Sequence, residues 1–146
     1  MNEEELHYLL DSNIVSEIIK AYPDFNVISK IAEHGSECAI CSAGWEELLF
    51  GVKILPETMN KTYLEKFIRE DVHANFKVLS YTEKAAEIHA ELRVALSKIG
   101  KTSQKSDSLI ASIAVANNMV LVTRNIKHFE AIQQVSRLKV ENWFEK

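Results

Sequence analysis

The chain has 146 residues with a formal net charge of −4, and 47% of the residues are hydrophobic. This length and composition predict one folded domain over residues 1–146 and exclude a long disordered or fibrous chain. No apolar run is long enough to span a bilayer and the first residues are acidic, so we expect a cytoplasmic protein without a signal peptide.

The first half of the chain alternates short strand-like runs with helical segments, a pattern typical of a parallel sheet covered by helices. The expected elements are a strand over residues 8–11, a helix capped by Ser12 or Asn13, a helix over 24–33, a strand over 37–41, a helix capped by Ser42 and a helix starting near Pro56. In the last of these we expect Met59, Tyr63 and Phe67 to face the core.

The second half continues the alternation. It predicts a strand over residues 76–79, a helix capped by Thr82 and ended by Gly100, a helix over 109–117 preceded by Asp107, a strand over 119–123, a helix over 127–132 and a strand over 138–140. The helix after Thr82 carries an apolar stripe that ends at Ile99, and the strand over 119–123 is apolar throughout and expected to be central.

Cys38 and Cys41 form the one Cys-x-x-Cys of the chain. A structural zinc site needs two more ligands at suitable spacing, and the five scattered histidines offer no second pair. A redox pair remains open, but the favoured interpretation is two reduced, partly buried cysteines at the end of a strand.

Three acids occupy settings that suggest chemistry. Asp11 follows the first strand directly, Glu47 lies in the first turns of the helix after the second strand, and Asp107 lies at the start of a later helix. Strand ends and helix starts of a parallel sheet share one edge, so these carboxylates are expected to meet there. Hard oxygen ligands select Mg²⁺ or Mn²⁺, and an ion that keeps some waters can activate one of them against a phosphate. Taken singly, Asp107 also suits a helix N-terminus and Glu47 an exposed helix position.

Four segments together resemble the PIN domain, and most closely the VapC-type toxin ribonucleases of prokaryotic toxin–antitoxin pairs. These segments are Leu9-Leu10-Asp11-Ser12-Asn13-Ile14, Glu47-Leu48-Leu49-Phe50-Gly51, Asp107-Ser108-Leu109-Ile110-Ala111, and Leu121-Val122-Thr123-Arg124-Asn125 followed by Phe129-Glu130. The likeness extends over residues 8–143, and it favours Glu47 over its neighbour Glu46 as the site acid.

The resemblance implies a PIN fold, a three-layer α/β/α arrangement with a central parallel sheet of about four to five strands. It implies Mg²⁺- or Mn²⁺-dependent endonucleolytic cleavage of RNA, often of a tRNA or ribosomal RNA, an antitoxin partner that covers the site, and a homodimer. Carried over, Asp11 and Asp107 are metal ligands, and Glu47 binds metal or orients the attacking water. Ser12, Asn13, Thr123 and Asn125 then support the site.

The chain departs from the family pattern at two places. Asn125 and His128 stand where the last motif often has an acid, and residues 103–106 lack an Asp that is common there. A weaker second metal site follows, and a one-metal mechanism becomes more plausible. A catalytically inactive PIN-like binding module therefore remains an alternative.

The second half of the chain is net basic and can contact a polyanion, although ordinary surface variation explains the same imbalance. Basic residues expected near RNA phosphates are Arg93, Lys98, Lys101, Lys105, Arg124, Lys127 and, if it reaches the phosphate, His128.

Another enzyme class also uses an Asp after its first strand. A haloacid-dehalogenase-like phosphatase would use Asp11 as nucleophile, but its second Asp is replaced here by Asn13.

Overall fold

The computed structural model describes residues 5–145, so the acidic start of the chain, Met1–Glu4, lies outside the described residues. Five short strands form one parallel sheet in the order β3-β2-β1-β4-β5. The strands are β1 Tyr8–Leu10, β2 Cys38–Cys41, β3 Lys77–Leu79, β4 Val120–Val122 and β5 Lys139–Glu141. β1 is the middle strand; the strand expected to be central, β4, lies next to it and is paired on both sides.

Helices cover both faces of the sheet, which confirms the three-layer PIN-like expectation. They are α1 Ser12–Val15, α2 Phe25–His34, α3 Ser42–Lys53, α4 Met59–Phe67, α5 His73–Asn75, α6 Glu83–Lys98, α7 Lys105–Ala116 and α8 Glu130–Val135. A wider helical turn, Ile68–Val72, joins α4 to α5, and a 3₁₀ helix, Ile126–Phe129, precedes α8.

Alternate strand residues enter two separate hydrophobic layers. Leu9 and Leu121 pack with α6, α7 and α8, whereas Leu10 and Val122 pack with α1, α2 and α3 on the opposite face. These strand side chains are fully buried, and each stabilises the fold by roughly 1.5–3 kcal/mol relative to exposure. The two layers hold β1 rigidly, and therefore also the residue that follows it.

Two expected helix caps are wrong, and both corrections concern the edge where the strands end. The α1 helix is capped by Asp11, whose carboxylate accepts from the Ser12 backbone N–H, and not by Ser12 or Asn13. The α3 helix is capped by Cys41, whose sulfur accepts from the Gly44 N–H at 3.4 Å, and not by Ser42. In both cases the last residue before the helix is already in place to reach its free N–H groups.

Two expectations about α4 are also wrong. The helix starts after Thr58, whose hydroxyl accepts from the Lys61 N–H, and not near Pro56. Met59 and Tyr63 are 90% and 66% exposed instead of facing the core. The core on this side is closed by Ile68 and by residues further along the chain, which leaves the first turns of α4 outside it.

The other expected elements agree with the structure to within a few residues. Thr82 caps α6, Gly100 ends it with a φ of 68°, and Asp107 lies in the first turn of α7. Ile99, expected in the apolar stripe of α6, is 44% exposed; His89 and Leu96 are buried on that helix. Among residues 5–145, no helix is both long and apolar enough to cross a bilayer.

Cys38 and Cys41 are both buried and reduced. Burial raises the pKa of the Cys38 thiol to about 12, so it stays protonated at neutral pH. This agrees with the favoured interpretation of two structural cysteines.

Candidate active site

A cavity of about 270 Å³ lies at the carboxyl edge of the sheet, between the ends of β1 and β2 and the first turn of α7. The three expected acids, Asp11, Glu47 and Asp107, all line it. They come from three distant parts of the chain, and the parallel order of the sheet brings them together. Glu46 and Glu47 are both exposed, but Glu46 lies outside this lining.

Asp11 is held from both sides. The hydroxyl of Thr123 donates to its Oδ2 at 2.9 Å, and the Ser12 N–H donates to its Oδ1 at 2.8 Å. Thr123 is completely buried and in turn accepts from the Asn125 N–H at 3.1 Å. The carboxylate is therefore oriented by β4 as well as by its own helix.

Ser12 and Asn13 have roles other than capping. The Ser12 hydroxyl donates to Glu47 Oε2 at 2.7 Å, which ties α3 to the end of β1. The Asn13 side-chain oxygen accepts from the Arg124 N–H at 3.2 Å, while its amide lies 3.4 Å from the Thr123 hydroxyl. Asn13 and Asn125 thus contact Thr123, whereas Ser12 contacts Glu47; Ser12, Asn13 and Asn125 also line the cavity.

The acids repel one another at this edge. Burial raises the pKa of Asp11, and Glu47 and Asp107 raise it further, against the lowering effect of the Thr123 and Ser12 bonds. Burial also raises the pKa of Asp107, where Glu47 adds to the rise and His128 opposes it. The cavity therefore holds uncompensated negative charge that a bound cation would relieve.

The residues expected to contact RNA phosphates lie in different parts of the structure. The imidazole of His128 is half exposed and its Nδ1 lies 3.6 Å from Asp107 Oδ2, so it is at the cavity. Lys105 lines a neighbouring groove, and Lys127 is exposed on the 3₁₀ helix before α8. The Arg124 guanidinium lies over the Phe144 ring, 4.3 Å from its centre.

Sequence reasoning missed two groups of residues. Gln104 and Ser106 line the cavity beside Asp107. Both belong to the stretch 103–106, which lacks the Asp that is common there in the family. A hydrogen-bonded chain joins the exposed Tyr81 to the buried His89 and Ser108: His89 is 2.9 Å from the Tyr81 hydroxyl and 2.7 Å from that of Ser108. The apolar stripe of α6 includes position 89, and this was the available signal for burial of that histidine.

The donor set suits a divalent metal by its chemistry. Carboxylate oxygens are the preferred ligands of Mg²⁺ and Mn²⁺. Burial first, and neighbouring carboxylates next, raise the pKa of Asp11 and Asp107, and a bound ion would offset both effects. As the side chains lie, no three His, Cys, Asp or Glu groups within residues 5–145 are close enough to surround one ion. A side chain must therefore rotate for three carboxylates to bind together.

A family model described as the PIN domain matches residues 8–134. The chain belongs to the PIN domain family. Ribonuclease VapC2 of Rickettsia felis is 33% identical over 139 residues, which cover 93% of this chain and 97% of that relative. The tRNA(fMet)-specific endonuclease VapC of Salmonella typhimurium is 29% identical, with 94% and 98% covered.

Solved structures agree with this PIN domain assignment. The crystal structure of VapBC2 from Rickettsia felis, bound to a DNA fragment from its promoter, has a TM-score of 0.75 at 30% identity and covers 94% of this chain and 99% of that one. The crystal structure of FitAcB from Neisseria gonorrhoeae has a TM-score of 0.86 at 24% identity, with 95% and 99% covered, and shows the shared fold. The expected likeness to VapC-type PIN domains is confirmed.

Proposed function

We propose that this PIN domain is a metal-dependent endoribonuclease that acts as the toxin of a type II toxin–antitoxin system in the cytoplasm. The observation that carries the proposal is the convergence of Asp11, Glu47 and Asp107 on one cavity at the carboxyl edge of the sheet. Relatives named VapC ribonucleases over almost the whole chain support RNA as the substrate. The relative named for tRNA(fMet) makes tRNA the first substrate to test.

In this proposal Asp11 and Asp107 bind Mg²⁺ or Mn²⁺, and Glu47 binds the same ion or orients the attacking water. When bound, such an ion lowers the pKa of a water molecule and offsets the negative charge of the scissile phosphate. Thr123 holds one Asp11 oxygen toward itself and leaves the carboxylate in a single orientation. Ser12 donates to Glu47, which favours one orientation of this exposed carboxylate at the cavity before RNA binds.

The remaining cavity residues contact the RNA rather than the ion. His128 lies on the solvent side of Asp107 and can donate to a phosphate oxygen. Asn125 presents its side chain to the same cavity, in place of the acid that is frequent in this family. With three acids at the site, we expect one metal ion to suffice for cleavage.

Cleavage assays with point variants test the proposal. The purified protein should cleave RNA with Mg²⁺ or Mn²⁺, and Asp11→Asn should lower the rate by about 10³-fold or more, as expected when a group that holds the reacting centre is removed. Glu47→Gln should lose most activity, whereas Glu46→Gln, one residue away and outside the cavity, should retain it. Equal cleavage by all three variants would mean that the activity comes from a contaminant or from another site.

The alternatives predict different results. An inactive binding module would show no heat of Mn²⁺ binding in calorimetry and no cleavage. The phosphatase alternative would require a phospho-aspartate at Asp11, and membership of the PIN domain family removes its basis.

The proposed partners are a cognate antitoxin that covers the cavity and a second copy of the chain. A solved neighbour described as a toxin–antitoxin complex, and another described as a member of the VapBC family of toxin–antitoxin systems, support the first. Light scattering of the purified protein tests the second. Induced expression should arrest growth, and both Asp11→Asn and coexpression of a small open reading frame just upstream should relieve the arrest.

A further inference from the structure

A second polar cavity lies beside the candidate active site. It is a groove of about 460 Å³ between the second half of α6 and the segment that leads into α7, and we call it the α6–α7 groove. Its lining includes three cations and several hydroxyl groups: Arg93, Lys101, Lys105, Ser97, Thr102 and Ser103. Within the described residues 5–145, none of the acids lines this groove.

The three cations form no ion pair within the part of the chain that the structure describes. Elsewhere Lys53, Lys61 and Arg69 form ion pairs with glutamates, whereas none of the groove cations is ion-paired with any residue in the described range 5–145. A buried group reports the resulting field: after burial itself, the charges of Arg93 and Lys105 lower the pKa of His89. The groove therefore offers unused positive charge to an anion.

One short stretch of backbone separates this groove from the catalytic cavity. Within residues 103–108, Gln104, Ser106 and Asp107 line the catalytic cavity, whereas Ser103, Lys105 and Ser108 line the groove. A nucleic acid strand that crosses this stretch would occupy both cavities. The two cavities carry opposite charge, one suited to a metal ion and the other to phosphates.

We propose that the α6–α7 groove binds the phosphodiester backbone of the RNA immediately next to the cleaved linkage, with Arg93 and Lys101 as its contacts. The inference rests on the proposed ribonuclease function and gives the strand a direction, over α7 toward the end of α6. The inference also separates Arg124 from the groove cations, because Arg124 is stacked on Phe144 and lines neither cavity.

The test measures RNA binding in the Asp11→Asn background, which prevents cleavage. Fluorescence anisotropy with a short fluorescein-labelled single-stranded RNA is recorded over a salt series. If both cations contact phosphates, Arg93→Gln with Lys101→Gln should weaken binding about 10-fold near physiological salt and lower the slope of log affinity against log salt by about 1.4. In the active background, the same pair should raise KM and leave kcat unchanged.

Matched variants make the result specific. Lys77→Gln with Lys139→Gln removes the same net charge from exposed positions on the edge strands that line neither cavity, and should bind RNA like the parent. Arg93→Lys with Lys101→Arg keeps the charge and should also bind like the parent. If Arg93→Gln disturbs α6, Lys101→Gln alone should still lower the slope by about 0.7.

The proposal is overturned if the groove pair and the edge-strand pair give the same affinity and the same salt slope. If the unmodified protein still cleaves RNA, that outcome refutes RNA binding by the α6–α7 groove and leaves the ribonuclease function in place. Absence of cleavage by the unmodified protein would instead refute the ribonuclease function, and the salt slope would still report whether the groove binds RNA.

Discussion

The pKa values of carboxylates are shifted in opposite directions at the two ends of the central sheet. At the carboxyl end, Asp11 and Asp107 share a cavity with a third acid, and the pKa of each is raised by burial and by its neighbours. At the amino end, Glu37 lies between the imidazoles of His7 and His34, and these hydrogen bonds lower the pKa of its carboxyl. The same bond with Glu37 raises the pKa of His7.

This difference separates stability from function. The amino end brings opposite charges together, so its carboxylate favours the folded state. The carboxyl end brings like charges together, and the folded state carries their repulsion until a ligand relieves it. Strained or repulsive groups of this kind are typical of sites selected for chemistry and not for stability.

The largest expected effect is stabilisation by metal at the carboxyl end only. Saturation with Mn²⁺ at about 100 times its dissociation constant should stabilise the protein by about 2.7 kcal/mol, a shift of several degrees in Tm. Asp11→Asn should abolish the shift, and Glu37→Gln should leave it intact. Thermal denaturation with and without a chelator measures both, and an equal shift in Asp11→Asn would place the metal elsewhere.

Removing the support of Asp11 should be the next largest effect. Thr123→Val keeps the shape of a completely buried side chain but removes the hydroxyl that donates to Asp11 and accepts from Asn125. We expect a loss of about 2 kcal/mol in unfolding free energy, because a bond to a charged group is lost. Urea denaturation measures it. Thr123→Ser keeps the hydroxyl and should be clearly less destabilised, and an equal loss in both would implicate packing alone.

The same chemical change should have opposite signs at the two ends. Without metal, Asp11→Asn removes a charge that burial and neighbouring carboxylates disfavour and should stabilise the protein, since the folded pKa of Asp11 is raised. Glu37→Gln removes a carboxylate with a lowered pKa and should destabilise the protein. Denaturation in chelator at neutral pH tests the pair; destabilisation of Asp11→Asn would contradict the comparison.

The smallest effect is the pH dependence of the amino end. The hydrogen bond with Glu37 raises the pKa of His7 above 6.5 in the folded protein. The stability that charged His7 contributes is therefore complete below pH 6.5 and is lost as the pH rises through the folded-state pKa. The contribution of Glu37 is lost on the acid side, as the pH falls through a value below 4.5. His7→Gln should therefore melt at a lower temperature than the parent below pH 6.5 and at the same temperature well above it.

Much of the fold could be predicted because strand and helix periods are local properties of the sequence. The five strands, the helix after Thr82 and the place of Asp107 in α7 all follow from such patterns. The exposure of Met59 and Tyr63 could not be predicted in this way. Periodicity identifies an apolar face of α4, but it does not show which later segment closes the core beside that helix.

The site was predictable in its members but not in its contacts. The place of Asp11, Glu47 and Asp107 at strand ends and helix starts indicated a shared edge. The donation from Ser12 to Glu47 and the chain from Asn125 through Thr123 to Asp11 depend on side-chain orientations, which motifs do not specify. For the same reason the capping role of Asp11 was assigned to its neighbours.

The pairing of β1 with β4 has a consequence for the order of events during translation. Thr123 reaches Asp11 across 112 positions of sequence, and β4 supplies the backbone acceptor for the Asp11 N–H. A nascent chain must therefore expose residues through Thr123 before Asp11 gains its donor, and through His128 before Asp107 gains that neighbour. A centre built in this way cannot be assembled from the first part of the chain alone, because the donor that orients Asp11 lies 112 positions later in the sequence.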